Sequence, residues 1–370
     1  MGHTGNPVFG SVSTVTVSHG SLKYARSGLL PTTSTNAPDV MHPVTGRFHE
    51  EPEKPQGIAT DGVYFLANDR VLDLVVAFLN SFRAKNPTRL LCLIPFDDDI
   101  RLIAGLRQRY GFSLFDNRDI LRECDDLSRA LHGRVVGQYR KAAAWYGEFE
   151  RFIYIDVDTI VLGSFDFVYP YLAEYDFVTG HSHMAECWRW TWKPSARRQA
   201  LLSADQLDYA ANTGFFASCA GLFSFGQLHS ARDAALRFRA HMEMGCYEQA
   251  FFNFLVVTSG RSYTSLSRLA QSRGDTAMPC ECWAGERRWT SGRKGRWRFN
   301  GRRRPVLFIH WAGCWWPTRF DAFVEQACRR LGVPHRRSSV RRLLRHRRIW
   351  WFFRRMAEDG GAESGSGLNP

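Results

Sequence analysis

The sequence predicts an α/β protein in which a mostly parallel central sheet is flanked by helices. Two observations carry that prediction: from residue 57 onward, short β-type apolar runs alternate with segments of helical periodicity, and several of those runs end in carboxylates or amides. Alternation of this kind is how strand-crossover-strand units look in sequence. In such sheets the ligand crevice lies beyond the carboxyl ends of the strands.

Taken in order, "GVYFLAND" is the opening strand, with Asn68 and Asp69 at its end. "VLDLVVAFLNSFRAKNP" follows as a helix that stops at Asn86-Pro87, since the residue before proline avoids helical backbone. "RLLCLIPFDDD" is a buried strand ending in three acids, and "DIRLIAGLRQRYG" reads as one helix closed by Gly111. "YRKAAAWYGEFE" supplies another helix and leads into the strand "RFIYIDVDTIVL". The rhythm then loosens through "YDFVTGHSHMAECWRWTWK" and "YAANTGFFASCAGLFSF", resumes with the helix "LHSARDAALRFRAHMEMG" and the segment "CYEQAFFNFLVVTSG", and ends in the strand "PVLFIH". Residues 1–56, rich in Ser, Thr, Gly, Pro and Asn, read as a disordered leader. The expected organisation is therefore that leader, one domain over 57–332, and a basic aromatic tail over 333–370.

At 370 residues, with 44% apolar residues, the chain can build a sizeable core. Its 49 Lys+Arg against 36 Asp+Glu give a net charge of +13, which favours anionic partners. No nucleic-acid motif accompanies that charge, so no specific nucleic acid is expected. No stretch reaches the ~20 apolar residues of a bilayer span. No secretory signal opens the chain, and the nine scattered cysteines suit a reducing compartment; the expectation is a soluble cytoplasmic protein. Cys280 and Cys282 form a C-x-C without a second pair, which argues against structural zinc.

The chemistry centres on Asp156 and Asp158. Alternate strand residues point to one face, so the two carboxylates can converge if strand geometry extends that far. Two chemistries use such a pair: a Mg²⁺ or Mn²⁺ that neutralises a nucleotide-sugar diphosphate, or a nucleophile and acid in phosphoryl transfer. The second, of the haloacid-dehalogenase phosphatase type, needs a later acidic pair. Here the adjacent acids Asp97-Asp98-Asp99 and Asp125-Asp126 come before the motif.

Residues 57–320 resemble glycosyltransferases of the glycogenin and bacterial lipopolysaccharide galactosyltransferase type (family 8-like), with the nucleotide-diphospho-sugar (GT-A) fold. The resemblance rests on motifs in matching order: the strand ending in Asn68 and Asp69, the helix with Arg140 leading to D-x-D, "ANTGFFAS", "EQAFFN" and "HWAGCWWP". It implies that Asp156, Asp158 and His310 hold Mn²⁺ or Mg²⁺. It further implies that Asn68, Asp69, Arg140, Asn212, Gly214 and Gly313 bind the donor, with Glu248 on a sugar hydroxyl and Gln249 near the anomeric carbon. The implied activity is transfer of a sugar, with retention of configuration, from a nucleotide-diphospho-sugar to a carbohydrate, lipid-linked or protein acceptor. Trp316 stands where the family keeps a diphosphate-binding lysine, with Arg302, Arg303, Arg304 and Arg319 as candidate substitutes. The alternative is a non-catalytic sugar-nucleotide or membrane-surface binding protein with a degenerate site.

Two further features stand apart. If "CWRWTWK" is a strand, Trp188, Trp190 and Trp192 form an aromatic row suited to an acceptor sugar or lipid, the other reading being packing on the core. His181 and His183 make an H-x-H nearby, without further ligands at recognisable spacing. The arginine clusters around "IWWFF" in the tail suit an interfacial helix on an anionic membrane.

Overall fold

The computed structural model describes residues 60–284, 289–291, 297–299, 304–312 and 337–356, with backbone course alone for 289–291, 297–299, 304 and 337–343. The expected leader, Gly313, the tryptophans at 315 and 316, Arg302, Arg303 and Arg319 lie outside the described residues.

The central sheet has seven strands: β1 (Asp61–Ala67), β2 (Leu90–Pro95), β3 (Ser113–Leu114), β4 (Arg151–Asp156), β6 (Phe177–Thr179), β7 (Phe215–Cys219) and β8 (Tyr263–Ser265), ordered β3-β2-β1-β4-β7-β6-β8. Pairing is parallel from β3 through β4 and again between β6 and β8, while β7 runs antiparallel to both its neighbours. A smaller sheet joins β5 (Thr159–Val161) to β12 (Arg304–His310), with β9 (Cys280–Trp283) parallel to β12. Strands β10 (Trp289–Ser291) and β11 (Trp297–Phe299) continue its other side.

The central strands read as continuous apolar runs because both faces of the sheet are covered. Val63 and Phe65 of β1, Leu91 and Leu93 of β2 and Ile153 and Ile155 of β4 belong to one core. Their alternates Tyr64, Leu66, Cys92, Ile94, Phe152 and Tyr154 belong to the other. Helix α1 (Leu72–Lys85) packs in the first core through Val75, Phe78 and Phe82. Helices α2 (Arg118–His132), α4 (Phe225–Phe238) and α5 (Gln249–Thr258) fill the second. Here α3 denotes Ala185–Thr191, which precedes α4.

Three sequence expectations change. "DIRLIAGLRQRYG" is two single turns, Arg101–Ala104 and Arg107–Tyr110, interrupted at Gly105; Gly111 closes the second at φ 59°. "YRKAAAWYGEFE" is helical, but wound as a 3₁₀ helix over Gly137–Tyr146 and stopped at Gly147, where a Cβ would collide with the Tyr64 hydroxyl. "CWRWT" lies on α3 and not on a strand, with Trp192 just past its end in extended backbone, so Trp188 and Trp190 diverge at helical spacing and the three tryptophans form no row. Trp188 stacks beneath Arg197, Trp190 lies 5.0 Å from the Trp283 ring, and the buried Trp192 donates to the Leu207 carbonyl.

The basic segment forms helix α6 (Arg337–Arg355) and packs on α1 and β5. Trp350 and Phe353 enter the first core, Asn80 donates to the Phe353 carbonyl at 2.7 Å, and Arg354 pairs with Asp73. Its aromatics are therefore divided. His346, Trp350 and Phe353 face inward, while Leu344, Phe352 and Met356 are exposed. No helix of the described residues is long and apolar enough to cross a membrane.

Candidate functional site

The chain places β1 between β2, which follows it, and β4, which comes later, so the strand order reverses at β1/β4. A crevice beyond the carboxyl ends of those strands is the expected ligand position. A cavity of about 410 Å³ opens there. Asn68 from the end of β1 and Asp156 from the end of β4 line it, and Asn212, Gly214, Glu248 and His310 enclose it from other segments.

Strand β4 ends at Asp156, so strand geometry does not carry Asp158; a bend at Val157–Asp158 does. The Thr159 hydroxyl bonds the Asp156 carbonyl at 2.7 Å and holds the bend. His310 arrives at the end of β12, whose register sets it opposite Thr159 of β5. Asp156, Asp158 and His310 each offer a ligand atom, and these atoms lie within 4.8 Å of one another. Among the described residues this is the one group of three or more His, Cys, Asp or Glu so placed. His181 instead bonds the Glu281 carbonyl, and His183 bonds the Ser182 hydroxyl.

Two observations fit this triad to a divalent cation. Buried Asp158 Oδ1 has His310 Nε2 3.2 Å away but no well-aligned hydrogen bond. At Gly214 a Cβ would sit 3.0 Å from Asp156 Oδ2 and collide with the His310 ring, so only glycine leaves room between those ligands. Two carboxylates and an imidazole form a donor set for Mg²⁺ or Mn²⁺.

The electrostatics are tightly coupled. Burial disfavours the His310 imidazolium, but Asp158 and Glu281 on either side outweigh it and lift its pKa to about 10. Asp158 is held below the usual carboxylate range by His310, against the effect of burial. Burial pushes Asp156 up despite Lys141, with repulsion from Asp158 adding to it.

Lys141 is a cavity residue that sequence reasoning missed. Fully buried, its Nζ lies 2.5 Å from Glu248 Oε1 and 3.1 Å from Asp156 Oδ1, and also approaches the Thr213 carbonyl. Burial opposes its charge, but Asp156 and Glu248 overcome that and raise its pKa. Arg140 is turned the other way. Its guanidinium makes a two-pronged ion pair with the buried Asp125, at 2.7 and 2.8 Å, and donates to the Pro95 carbonyl. Arg140 thus braces α2 against β2 and does not line the cavity. Asp69 is occupied likewise, its carboxylate accepting from the backbone of Leu102 and Ile103.

The remaining expected residues do meet. Asn212 orients the Gly214 amide through its side-chain oxygen at 2.8 Å and reaches Glu281 through Nδ2. Glu248 accepts from Lys141 and from Thr213, and burial raises its pKa beyond what Lys141 offsets. Gln249 opens α5 beside it and donates to Thr191. That helix is buried along nearly its whole length. Trp190, Tyr247 and Phe96 add aromatic lining.

No protein-family model matches the chain, and no curated protein matches it. Solved structures do resemble it, glycosyltransferases among them. The galactosyltransferase LgtC, solved with donor and acceptor sugar analogs, shares 13% identity over 74% of this chain and 95% of its own, at a TM-score of 0.47. The bifunctional glycosyltransferase WbbM shares 13% over 79% of this chain, at 0.45; the match spans about half of WbbM (53%). Mouse xyloside xylosyltransferase 1 shares 11% over 56% of this chain and 85% of its own, at 0.39.

Proposed function

We propose that the protein is a metal-dependent glycosyltransferase of GT-A type acting on a nucleotide-diphospho-sugar. The observation that carries this reading is the convergence of Asp156, Asp158 and His310 at the strand-order reversal, in one cavity with Asn68, Asn212, Glu248 and Gln249. A divalent cation on the first three would supply positive charge to the leaving diphosphate. Asn68, at the end of β1 and bonded to Asp97, lines the cavity and would meet the nucleoside. Asn212 and the Gly214 backbone lie where a sugar can approach the carboxylates closely. Lys141 holds Asp156 and Glu248 in place and adds fixed positive charge to a site otherwise rich in carboxylates. Retention of configuration follows from the family resemblance.

The test is release of nucleoside diphosphate from a panel of nucleotide sugars with Mn²⁺ or Mg²⁺. Turnover should require the cation and stop on chelation. Ligand-dependent thermal stabilisation without turnover would favour the non-catalytic binding protein, and turnover that survives chelation would sink the metal-dependent mechanism.

Among the described residues, the outer face of α6 is a surface on which a membrane role could rest. That face carries Leu344, Phe352 and Met356 with Arg345, Arg348 and Arg355, all exposed, and Arg355 stacks over Trp351. Arginines beside exposed apolar side chains complement an anionic phospholipid surface. Reversing Arg345, Arg348 and Arg355 to Glu should abolish co-sedimentation with phosphatidylserine vesicles without changing the melting temperature. Equal binding by the triple variant would exclude this surface.

A further inference from the structure

Behind His310 lies a carboxylate to which the proposed reaction gives no part. Glu281, on β9, is wholly buried. Its Oε1 accepts from His310 Nδ1 at 2.7 Å, Trp283 Nε1 at 2.8 Å and Asn212 Nδ2 at 3.2 Å. Its Oε2 has no hydrogen-bond partner and rests against Gly180, where a Cβ would collide with it. A buried carboxylate with one unsatisfied oxygen is expensive. Packing alone gives no reason to keep one, since an apolar side chain would fill the same space more cheaply.

Strand pairing explains the placement. In the parallel register of β9 with β12, Ile309 lies opposite Cys282 and His310 opposite Trp283, which brings the Glu281 carboxylate to one edge of the imidazole ring. Asp158 stands at the other edge, 3.2 Å from Nε2. The ring is therefore held between two carboxylates at its opposite nitrogens. A histidine that binds a metal through one nitrogen commonly donates its other N–H to a carboxylate, which fixes the tautomer and the ring plane.

We propose that Glu281 is a positioning residue for the metal site: it keeps the His310 proton on Nδ1 and aims the Nε2 lone pair at the point between Asp156 and Asp158. Asn212 and Trp283 hold Glu281 in turn, so the same amide that orients Gly214 also steadies the histidine from behind. Trp283 meets Trp190 at 5.0 Å, which links this support to an aromatic that lines the cavity. The inference rests on the cation reading of Asp156, Asp158 and His310.

The test is Mn²⁺ binding by the full-length, donor-free protein, read from the paramagnetic resonance signal of free aqueous Mn²⁺. Glu281→Gln keeps shape and one acceptor oxygen but loses the charge; with proton competition at His310 corrected from a pH series, it should weaken Mn²⁺ roughly 10- to 100-fold. Trp283→Phe removes one of the bonds that hold the same carboxylate but keeps its charge, and should weaken Mn²⁺ by less than Glu281→Gln does. A second readout, the His310 ring proton, can be taken from wild type alone. In ¹⁵N-histidine-labelled wild type, His310 should show a strongly downfield, slowly exchanging proton on Nδ1, and in Glu281→Gln that proton should move upfield.

Unchanged Mn²⁺ affinity in Glu281→Gln, or a His310 proton found on Nε2 alone in the Mg²⁺-loaded protein, overturns the inference. Wild type that binds no Mn²⁺ at all overturns the cation reading and this inference together. That result is distinct from a Glu281→Gln variant that merely matches a metal-binding wild type.

Discussion

Lys141→Met lowers nucleotide-sugar turnover by roughly 10²- to 10³-fold, the usual cost of removing one preorganised electrostatic group from a site, while Mn²⁺ binds as tightly as before or more so. The two effects separate because Lys141 carries the same sign of charge as the cation. Removing it relieves repulsion at the metal ligands, and the Tyr154 hydroxyl still holds Asp156 Oδ1 at 2.6 Å. What is lost is the charge between Asp156 and Glu248, 3.1 and 2.5 Å from Nζ. Deprived of it, the buried Glu248 takes up a proton more readily, since Lys141 is the group that opposes its raised pKa. Steady-state kinetics beside a direct Mn²⁺ titration checks this. Turnover at the wild-type level would remove Lys141 from the mechanism, and parallel loss of turnover and metal would make it a structural brace only.

Mn²⁺ affinity rises about tenfold for each pH unit, close to 10²-fold between pH 6.5 and 8.5, because a bound metal must displace one proton. The sign follows from His310. Without metal its pKa stands at about 10, lifted by Asp158 and Glu281 against burial, so the ring is protonated throughout that window and its Nε2 is not free to coordinate. Each unit of rising pH removes a tenfold share of that competition. Asp158 stays ionised, its pKa lying below the ordinary value, so it adds nothing to the slope, while Asp156, pushed up by burial, steepens it at the acid end. Calorimetry in buffers of different ionisation enthalpy should count close to one proton released per Mn²⁺, and His310→Asn should flatten the dependence. A wild-type affinity that does not vary with pH would show that His310 is not a ligand.

The α/β class and the place of the site were legible because they depend on local pattern. Apolar runs covered on both faces announce buried strands, and a polar residue at the end of such a run announces the crevice; Asn68 and Asp156 are read that way, whereas His310 enters through the family resemblance. Helix α2 was legible too, though not recognised. Asn117 caps its first turn by accepting from two amides, Gly133 closes it at φ 72°, and Leu121, Cys124, Leu127 and Leu131 recur at helical spacing. Other features were not in the local pattern. Whether Arg140 or Lys141 faces the site depends on how tightly the Gly137–Tyr146 segment winds, and the 3₁₀ turn delivers the lysine. Alternating tryptophans suit strand and helix equally when the run is short, and α3 took the helical option. Glu281 is one acid between two cysteines, and its position beside His310, 29 residues away, exists only once β9 and β12 pair.

Helix α6 acts on α1 as a cover. Trp350 and Phe353 close over a core that includes Phe78 and Phe82, and Asn80 spends its side-chain amide on the Phe353 carbonyl while its oxygen accepts from Tyr110. A chain cut at Pro334 would leave that core open to water and Asn80 without its acceptor. Its affinity for lipid, detergent or a second copy of itself would grow, the opposite of what loss of a detachable membrane tail would produce.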